Sequence, residues 1–161
     1  MASCQAAKRR RRQLGEKDMR ILVLGGSFGG LTAAITLRKH LPNGRHEIVV
    51  ISKEKRFIFI PSLPWVTMGW RTLANISFNL APTLARWKIS FVEGAVTRIE
   101  PEKKRVHTAA ESFDYDYLVV ATGIRSANEA VPGLGPFDGP GHSLMSPPEA
   151  EEARDAWAAF L

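Results

Sequence analysis

The sequence contains a single cysteine, Cys4, among its 161 residues, which excludes a disulfide bond within the chain. It also lacks any run of about 18 consecutive apolar residues, so no segment is predicted to span a bilayer. The four histidines do not follow metal-ligand spacing, and we expect no metal site. What is present, 45% hydrophobic and 24% charged residues, is typical of a folded globular domain rather than a disordered chain.

The positive charge of the chain is concentrated in one short run. The net charge is +6 at pH 7, and the run from Lys8 to Arg12 holds five consecutive cations, so the basic residues outside it nearly balance the 16 acidic ones. We expect residues 1–19 to form a basic, disordered tail. A solvated tail without a specific role is favoured over an arm that binds phosphates or an anionic membrane surface.

The region after the tail has the pattern of a nucleotide-binding unit. The apolar run Arg20–Leu24 predicts a buried parallel strand, residues 31–41 predict a helix, and residues 47–51 predict a second strand. A glycine-rich turn joins the first strand to the helix. This order, within about 30 residues, is the βαβ unit of a mononucleotide-binding half.

The rest of the chain predicts an α/β fold: a Rossmann-like parallel sheet and a three-stranded antiparallel meander, in a domain that we expect to be incomplete. The elements expected after the βαβ unit are an ordered loop (56–70), a short helix (81–87), a strand (89–93), the meander (96–99, 105–108 and 112–115), a further buried strand (117–121), a loop (126–141) and a helix (147–161).

The glycine turn, GGSFGG, fits two motifs that both occur at a strand-to-helix turn. Read as G-x-S-x-G, it is the nucleophile elbow of an α/β-hydrolase with Ser27 as nucleophile. That site needs an oxyanion-hole amide from an earlier loop, and only one strand precedes Ser27. Asp138 and His142 follow in the order of a triad, but they are only four residues apart in a predicted loop. The sequence therefore disfavours the hydrolase interpretation.

Read as G-x-G-x-x-G, the same turn is a cradle for a dinucleotide pyrophosphate, and we favour this over a purely structural turn. Gly25 would allow the tight turn and Gly30 the close approach of helix and strand. Ser27 takes the place of the middle glycine, and its hydroxyl can donate a hydrogen bond to a phosphate oxygen. The helix amides would point at the pyrophosphate. The candidate residues are Gly25, Gly26, Ser27, Phe28, Gly29 and Gly30.

The end of the second strand lacks the acidic residue that usually binds ribose hydroxyls about 20 residues after such a turn. Ser52 stands there instead and can hydrogen-bond a ribose hydroxyl, without the added strength of a charged acceptor. Glu54 is an alternative, although a surface role is favoured for it. This position is compatible with nucleotide binding but does not establish it.

Four segments together resemble the two-dinucleotide-binding-domain flavoproteins, which are FAD/NAD(P)-binding proteins of the pyridine nucleotide-disulfide oxidoreductase type. They are ILVLGGSFGGLTAAITL, RFIFIPSLPWVTMGW, ISFVEGAVTRIEP and YDYLVVATG, and they occur in the family's order. The resemblance covers about 20–161 and is strongest to the sulfide:quinone oxidoreductases. Type-two NADH:quinone oxidoreductases and apoptosis-inducing-factor-like flavoproteins are related.

The resemblance implies FAD as cofactor and gives roles to matching positions. The glycine turn would hold the pyrophosphate, Ser52 would lie near the adenosine ribose, and Val96 would meet the adenine through its backbone. The strand end Ala121, Thr122 and Gly123 would pass close to the cofactor. The loop from Pro61 to Pro64 would approach the isoalloxazine; plain core packing of Phe59 and Trp65 is an equal alternative.

The resemblance also implies a flavin-dependent oxidoreductase that passes electrons to a quinone or another small-molecule electron acceptor. We expect a cytoplasmic location, or peripheral contact with the inner face of a membrane for a full-length protein, and no specific nucleic acid as partner. The alternatives are a non-catalytic dinucleotide-binding module or an NADH:quinone oxidoreductase-like fragment. We expect residues 20–161 to be an FAD-binding domain truncated before a second nucleotide-binding domain, which alone binds FAD weakly and turns over nothing.

One departure from the resemblance bears on the electron donor. Sulfide-oxidising relatives carry a redox cysteine near the place occupied here by residues 143–146, where Met145 or a neighbour stands. A thioether cannot form the disulfide or persulfide that sulfide oxidation requires. Sulfide is therefore a doubtful substrate, and no catalytic residue is named.

Overall fold

The structure is a computed structural model that describes residues 18–41, 45–133, 136, 139 and 141–161. The basic run from Lys8 to Arg12 lies outside the described residues. The strands are β1 (Arg20–Leu24), β2 (Glu47–Ser52), β3 (Arg56–Ile58), β4 (Ser77–Asn79), β5 (Ser90–Glu93), β6 (Val96–Glu100), β7 (Arg105–Thr108), β8 (Ser112–Asp114) and β9 (Tyr117–Val120). The α-helices are α1 (Phe28–His40), α2 (Leu63–Thr67), α3 (Leu80–Ala85) and α4 (Pro147–Phe160).

A four-stranded parallel sheet in the order β5-β2-β1-β9 forms the centre of the fold. Its middle strands are unbroken runs of Ile, Leu and Val because both faces are covered. On one face, Val23 and Val50 pack against Ala34 of α1 and Leu84 of α3. On the other face, the sheet packs against the meander. The predicted α/β fold and its βαβ unit are confirmed.

The meander β6-β7-β8 is antiparallel, as predicted. Its inner face carries Val106 and Phe113, which pack on the parallel sheet. Its outer face is polar, as the alternation of a half-buried sheet requires. There the His107 ring lies 3.2 Å from Glu100 Oε2 and 2.8 Å from Ser112 Oγ, so one side chain links all three strands.

Two carboxylates on this outer face make the stability of the fold sensitive to acid. The hydrogen bond with His107 holds the pKa of Glu100 below its ordinary value of 4.5, and the hydrogen bond from Arg105 holds the pKa of Asp114 below 3.8. Because both pKa values are depressed in the folded state, the stability they contribute is present above about pH 4.5 and is lost as the pH falls below it.

We therefore expect the double variant Glu100→Gln/Asp114→Asn to lose less thermal stability on acidification than the parent chain. The measurement is the melting temperature at neutral pH and at a pH below about 4, followed by circular dichroism. An equal loss for the two proteins would show that these carboxylates do not couple folding to protonation.

The proline-containing segment 56–70 was expected to be a loop, and this expectation is wrong. It forms β3, a 3-10 turn at Ile60–Ser62 and the helix α2. Pro61 and Pro64 each stand in the first turn of their helix, where proline is tolerated because the missing N–H has no intrahelical partner. They start the helices rather than break them.

Helix α2 packs against α4, which extends almost as predicted. Leu63 and Val66 are fully buried with Ala150, and the Thr67 hydroxyl donates to the Ala150 carbonyl at 3.2 Å. Small alanines on α4 allow this close approach. The contact fixes the start of α4 beside the parallel sheet.

Two further expectations need correction. The strand β9 is not buried: the side chains of Tyr117 and Val120 are 58% and 59% exposed, because within the described residues β9 pairs with β1 alone and forms the sheet edge. Helix α1 begins three residues earlier than expected, so that Gly29 and Gly30 lie in its first turn. The segment 126–141 contains a 3-10 turn at Asn128–Ala130, and several of its residues lie outside the described ones.

Candidate functional site

The carboxyl ends of the parallel strands meet at one edge of the sheet and border a cleft of about 830 Å³. Ligands of open α/β sheets bind at this edge. The structure brings seven of the eleven predicted residues into the lining of this cleft. They are Gly25, Gly26, Ser27, Ser52, Val96, Ala121 and Thr122.

The other four predicted residues do not line the cleft. The ring of Phe28 lies 4.9 Å from that of Phe57 and 5.6 Å from that of Phe59, beside the first turn of α1. Gly29 and Gly30 belong to that turn. Gly123 follows β9, with a left-handed φ of 80°.

The glycine turn is as tight as the sequence predicts. Gly25 has a φ of 108°, and a Cβ at this position would overlap the carbonyl oxygen of Ala121. A Cβ on Gly30 would overlap the carbonyl oxygen of Gly25. The Gly25 N–H donates to Ile51 at 2.8 Å, which fixes the turn against β2. Both positions therefore require glycine for steric reasons.

The turn leaves the first amides of α1 free to bind an anion. The first intrahelical hydrogen bond runs from the Leu31 N–H to the Ser27 carbonyl at 2.9 Å, so the amides of Phe28, Gly29 and Gly30 precede it. Ser27 is the N-cap residue, is exposed, and makes no side-chain cap hydrogen bond. Its hydroxyl and these amides stand at the positive end of the helix dipole.

The end of β2 supplies a hydroxyl to the cleft. Ser52 Oγ accepts the Glu54 N–H at 3.3 Å, which leaves the hydroxyl proton free to donate to a ligand. The Ser52 carbonyl accepts the Gly94 N–H at 2.9 Å and thereby ties β2 to the turn before Val96. The arrangement places a donor between the glycine turn and the start of β6.

Three charged residues after Ser52 also line the cleft: Lys53, Glu54 and Arg56. The sequence offered only Glu54 as an alternative ribose ligand, with a surface role favoured for it. Lys53 Nζ lies 3.9 Å from Glu54 Oε1, and the Arg56 guanidinium donates to Ser77 Oγ at 2.7 Å. The sequence signal for this placement is their position shortly after β2, a strand that ends at the cleft. The end of the cleft beside Ser52 thus carries both signs of charge.

The segment before α4 forms a further wall of the cleft. Met145, Ser146, Pro147 and Pro148 line it. Glu149 holds this wall in place because its Oε2 accepts the Ser143 hydroxyl at 2.7 Å and the N–H groups of Met145 and Ser146 at 2.9 and 3.1 Å. Met145 was singled out in the sequence because it stands near the place of the redox cysteine of sulfide-oxidising relatives. The other residues of this wall were not predicted to line the cleft.

The last residue of β3, Ile58, and the following Ile60 add aliphatic residues to the lining of the cleft. The core-packing interpretation of Phe59 and Trp65 is wrong, because these side chains are 44% and 41% exposed. The approach of the Pro61–Pro64 loop to a flavin ring stays a prediction.

The site has no hydrolase constellation among the described residues. No described histidine contacts Ser27, and the His142 ring lies 2.8 Å from Glu152 instead. Asp138 lies outside the described residues. Without a base or an oxyanion hole, the hydroxyl of Ser27 is not activated as a nucleophile.

Comparisons with known proteins agree with this geometry. The family model described as pyridine nucleotide-disulphide oxidoreductase matches residues 19–158. The sulfide-quinone reductase of Aquifex aeolicus is 38% identical over 104 residues, which cover 64% of this chain and 24% of that protein. A type II NADH:quinone oxidoreductase of Staphylococcus aureus is 29% identical over 121 residues, which cover 75% of this chain and 30% of that protein.

The solved structure of the sulfide:quinone oxidoreductase from Aquifex aeolicus matches 88% of this chain with a TM-score of 0.79 and 31% identity. The match covers 32% of that structure, so the chain spans about a third or less of the length of these relatives. Among the described residues, no helix combines the length and apolar character needed to cross a membrane. The resemblance seen in the sequence is confirmed: the chain belongs to the pyridine nucleotide-disulphide oxidoreductase family.

Proposed function

We propose that residues 20–161 are the FAD-binding domain of a flavin-dependent oxidoreductase that passes electrons to a quinone. FAD is a cofactor of the family, and the relatives with similar sequences include a sulfide-quinone reductase and a type II NADH:quinone oxidoreductase. The observation that carries the proposal is the glycine turn, where two positions exclude a Cβ and where Ser27, the N-cap residue of α1, lines the cleft. This backbone is built to approach a diphosphate closely.

The cleft residues divide the proposed FAD site by chemistry. The amides at the start of α1 and the Ser27 hydroxyl would hold the diphosphate. The Ser52 hydroxyl would donate to the adenosine ribose, and the backbone at Val96 would meet the adenine. Ala121 and Thr122 would border the cofactor where β9 ends. The presence of Ser27, Ser52, Val96, Ala121 and Thr122 in the lining of the cleft supports these roles.

The start of α4 suits a different part of FAD from the part that the start of α1 suits. Two prolines in its first turn, Pro147 and Pro148, have no N–H to offer, and Glu149 occupies the amides of Met145 and Ser146. This helix start is therefore closed to an anion and presents apolar surface. It suits the planar ring of the flavin, from which it would exclude water.

Bound flavin supplies the two-electron chemistry, and the protein positions and shields it. In this chain the wall at Met145 offers a thioether, which cannot form a persulfide or a disulfide. This observation favours a hydride donor, as in an NADH:quinone oxidoreductase, over sulfide. A non-catalytic dinucleotide-binding module remains the competing function.

Titration of the purified chain with FAD, followed by flavin fluorescence and visible absorbance, tests the proposal. We expect saturable one-to-one binding of FAD. Riboflavin, which lacks the diphosphate and the adenosine, should bind much more weakly. Binding of NADH without binding of FAD would favour the dinucleotide-binding module, and an absence of binding to both by the folded chain would overturn the site.

Removal of the Ser52 hydroxyl tests the ribose end of the cleft. We expect Ser52→Ala to weaken FAD binding about fivefold, since one hydrogen bond contributes roughly 1 kcal/mol. The measurement is the dissociation constant from the same titration. The matched control is Ser90→Ala, an exposed serine outside the cleft, which should leave the constant unchanged. Equal constants for Ser52→Ala and the parent chain would remove Ser52 from the ribose site.

A further inference from the structure

The outer face of the meander carries a serine hydroxyl that is bonded to a histidine. Ser112 Oγ lies 2.8 Å from His107 Nδ1, and His107 Nε2 lies 3.2 Å from Glu100 Oε2. Ser112 is exposed, whereas the Glu100 side chain is only 14% exposed. These three residues do not belong to the lining of the cleft. A serine bonded to a base that a third group orients is the arrangement that activates a hydroxyl.

The register of the meander brings the serine and the histidine together. The Thr108 N–H donates to the Glu111 carbonyl at 2.9 Å, so these two residues form a hydrogen-bonded pair. Hydrogen-bonded and non-hydrogen-bonded pairs alternate along antiparallel strands, and the next pair is His107 with Ser112. Side chains approach each other most closely in a non-hydrogen-bonded pair. The contact between the two side chains therefore follows from the backbone.

The charges around Glu100 decide which nitrogen of His107 carries the proton. Arg98 Nη2 lies 2.8 Å from Glu100 Oε1, and Lys103 Nζ lies 3.5 Å from it. Because the pKa of Glu100 is held low by the hydrogen bond with His107 and by these cations, the group is a carboxylate that can only accept. Nε2 of the neutral ring is then the donor to Glu100. This leaves Nδ1 as the acceptor, to which the Ser112 hydroxyl donates.

The backbone at Ser112 offers a further donor. In a non-hydrogen-bonded pair the N–H groups point away from the facing strand, so the Ser112 N–H points to the outer edge of β8. Among the described strands, β8 pairs with β7 alone. An amide at an unpaired edge can bind the oxygen of an acyl group on the adjacent hydroxyl, as the donors of an oxyanion hole do.

We propose that Ser112 is a nucleophile that takes the acyl group of activated esters, with His107 as its base and Glu100 as the residue that positions the base. Ser112 Oγ bonds to the acyl carbon, the hydroxyl proton passes to His107 Nδ1, and the bond from the acyl carbon to the leaving oxygen breaks. The leaving oxygen takes that proton. Water then adds to the acyl carbon and gives a proton to Nδ1, and Ser112 Oγ leaves and recovers the proton. Neither step needs an oxidant or a reductant, so this activity is separate from the proposed flavin chemistry.

Reaction of the full chain with p-nitrophenyl acetate tests the proposal, with the acetyl groups located by mass spectrometry of proteolytic fragments. We expect Ser112 to be acetylated about 100-fold faster than Ser90, an exposed serine of β5. His107→Gln should slow the acetylation of Ser112 by about 100-fold, because a general base typically contributes at least that factor. The matched control is His142→Gln, which removes a histidine that lies 2.8 Å from Glu152 and should change the rate less than about twofold.

The variant Glu100→Gln tests the positioning role. A glutamine amide can donate to Nε2, so the proton of the neutral ring should move to Nδ1, and acetylation of Ser112 should slow at least about tenfold. Nitrogen-15 NMR of His107 identifies the tautomer, a signal that a merely structural role of Glu100 would not change.

Circular dichroism should show that all variants are folded. Equal acetylation of Ser112 and Ser90 in the parent chain would overturn the nucleophile without any substitution. An unchanged rate in folded His107→Gln would overturn the role of the base, and an unchanged rate and tautomer in Glu100→Gln would overturn the positioning role. Because the readout is acetylation of Ser112, it is independent of whether FAD binds.

Discussion

An aspartate in place of Ser27 is expected to weaken FAD binding by two to three orders of magnitude without destabilising the fold. A carboxylate about 4 Å from a phosphate costs roughly 4 kcal/mol at the effective dielectric constant of a protein surface. The same carboxylate at the N-cap of α1 suits the helix dipole, and aspartate caps a helix as well as serine does. The affinity for FAD and the thermal stability of the fold should therefore change independently of each other.

The measurement is the FAD dissociation constant together with the melting temperature of the chain without cofactor. The control is Ser27→Asn, which has nearly the same shape as aspartate but no charge and should weaken binding by less than about tenfold. Equal affinity of the aspartate and asparagine variants would show that no phosphate lies at the start of α1.

The variant Gly30→Ala is expected to destabilise the chain by about 3 kcal/mol and to lower its melting temperature by roughly 6–10 °C. The new Cβ would overlap the carbonyl oxygen of Gly25 and pass close to a side-chain methyl of Val23. Both β1 and α1 would have to shift, and the glycine turn would open. The affinity for FAD should fall as well, because the open turn no longer fits a diphosphate.

The neighbouring variant Gly29→Ala is the matched control, because it makes the same chemical change in the same turn of α1. Its Cβ would meet only the Ala121 side chain at 3.5 Å, an ordinary contact. Alanine at this position should raise stability by up to about 1 kcal/mol. If thermal unfolding gave the two variants the same melting temperature, the tight turn would not be the feature that holds β1 and α1 together.

The central part of the fold and site was predictable because its residues act locally. Gly25 and Gly30 signal a turn by lacking a side chain, and the Val and Ile runs of β1 and β2 signal burial on both faces. Ser52 was assigned because it stands at the end of the second strand, about 20 residues after the glycine turn, where a ribose ligand is usual. None of these inferences needed a contact between distant parts of the chain.

The remaining features depend on tertiary contacts that local patterns do not encode. The wall at Met145 lines the cleft because Ala150 packs on Leu63, a contact between segments far apart in sequence. Pro61 and Pro64 lie at helix starts only because the packing of Leu63 on Ala150 stabilises helical structure there. Tyr117 and Val120 are apolar enough to predict burial, yet their exposure depends on what pairs with the far side of β9.

The position of β9 has a consequence for how the chain is made. Arg20 at the start of β1 bonds to Asp116, 96 residues away, just before β9. During synthesis, β1 and β2 can pair long before β9 leaves the ribosome, and the flank of β1 stays uncovered for the time needed to translate everything between them. At about 5–20 residues per second this takes several seconds, so the synthesis of β9 sets when the described sheet is completed.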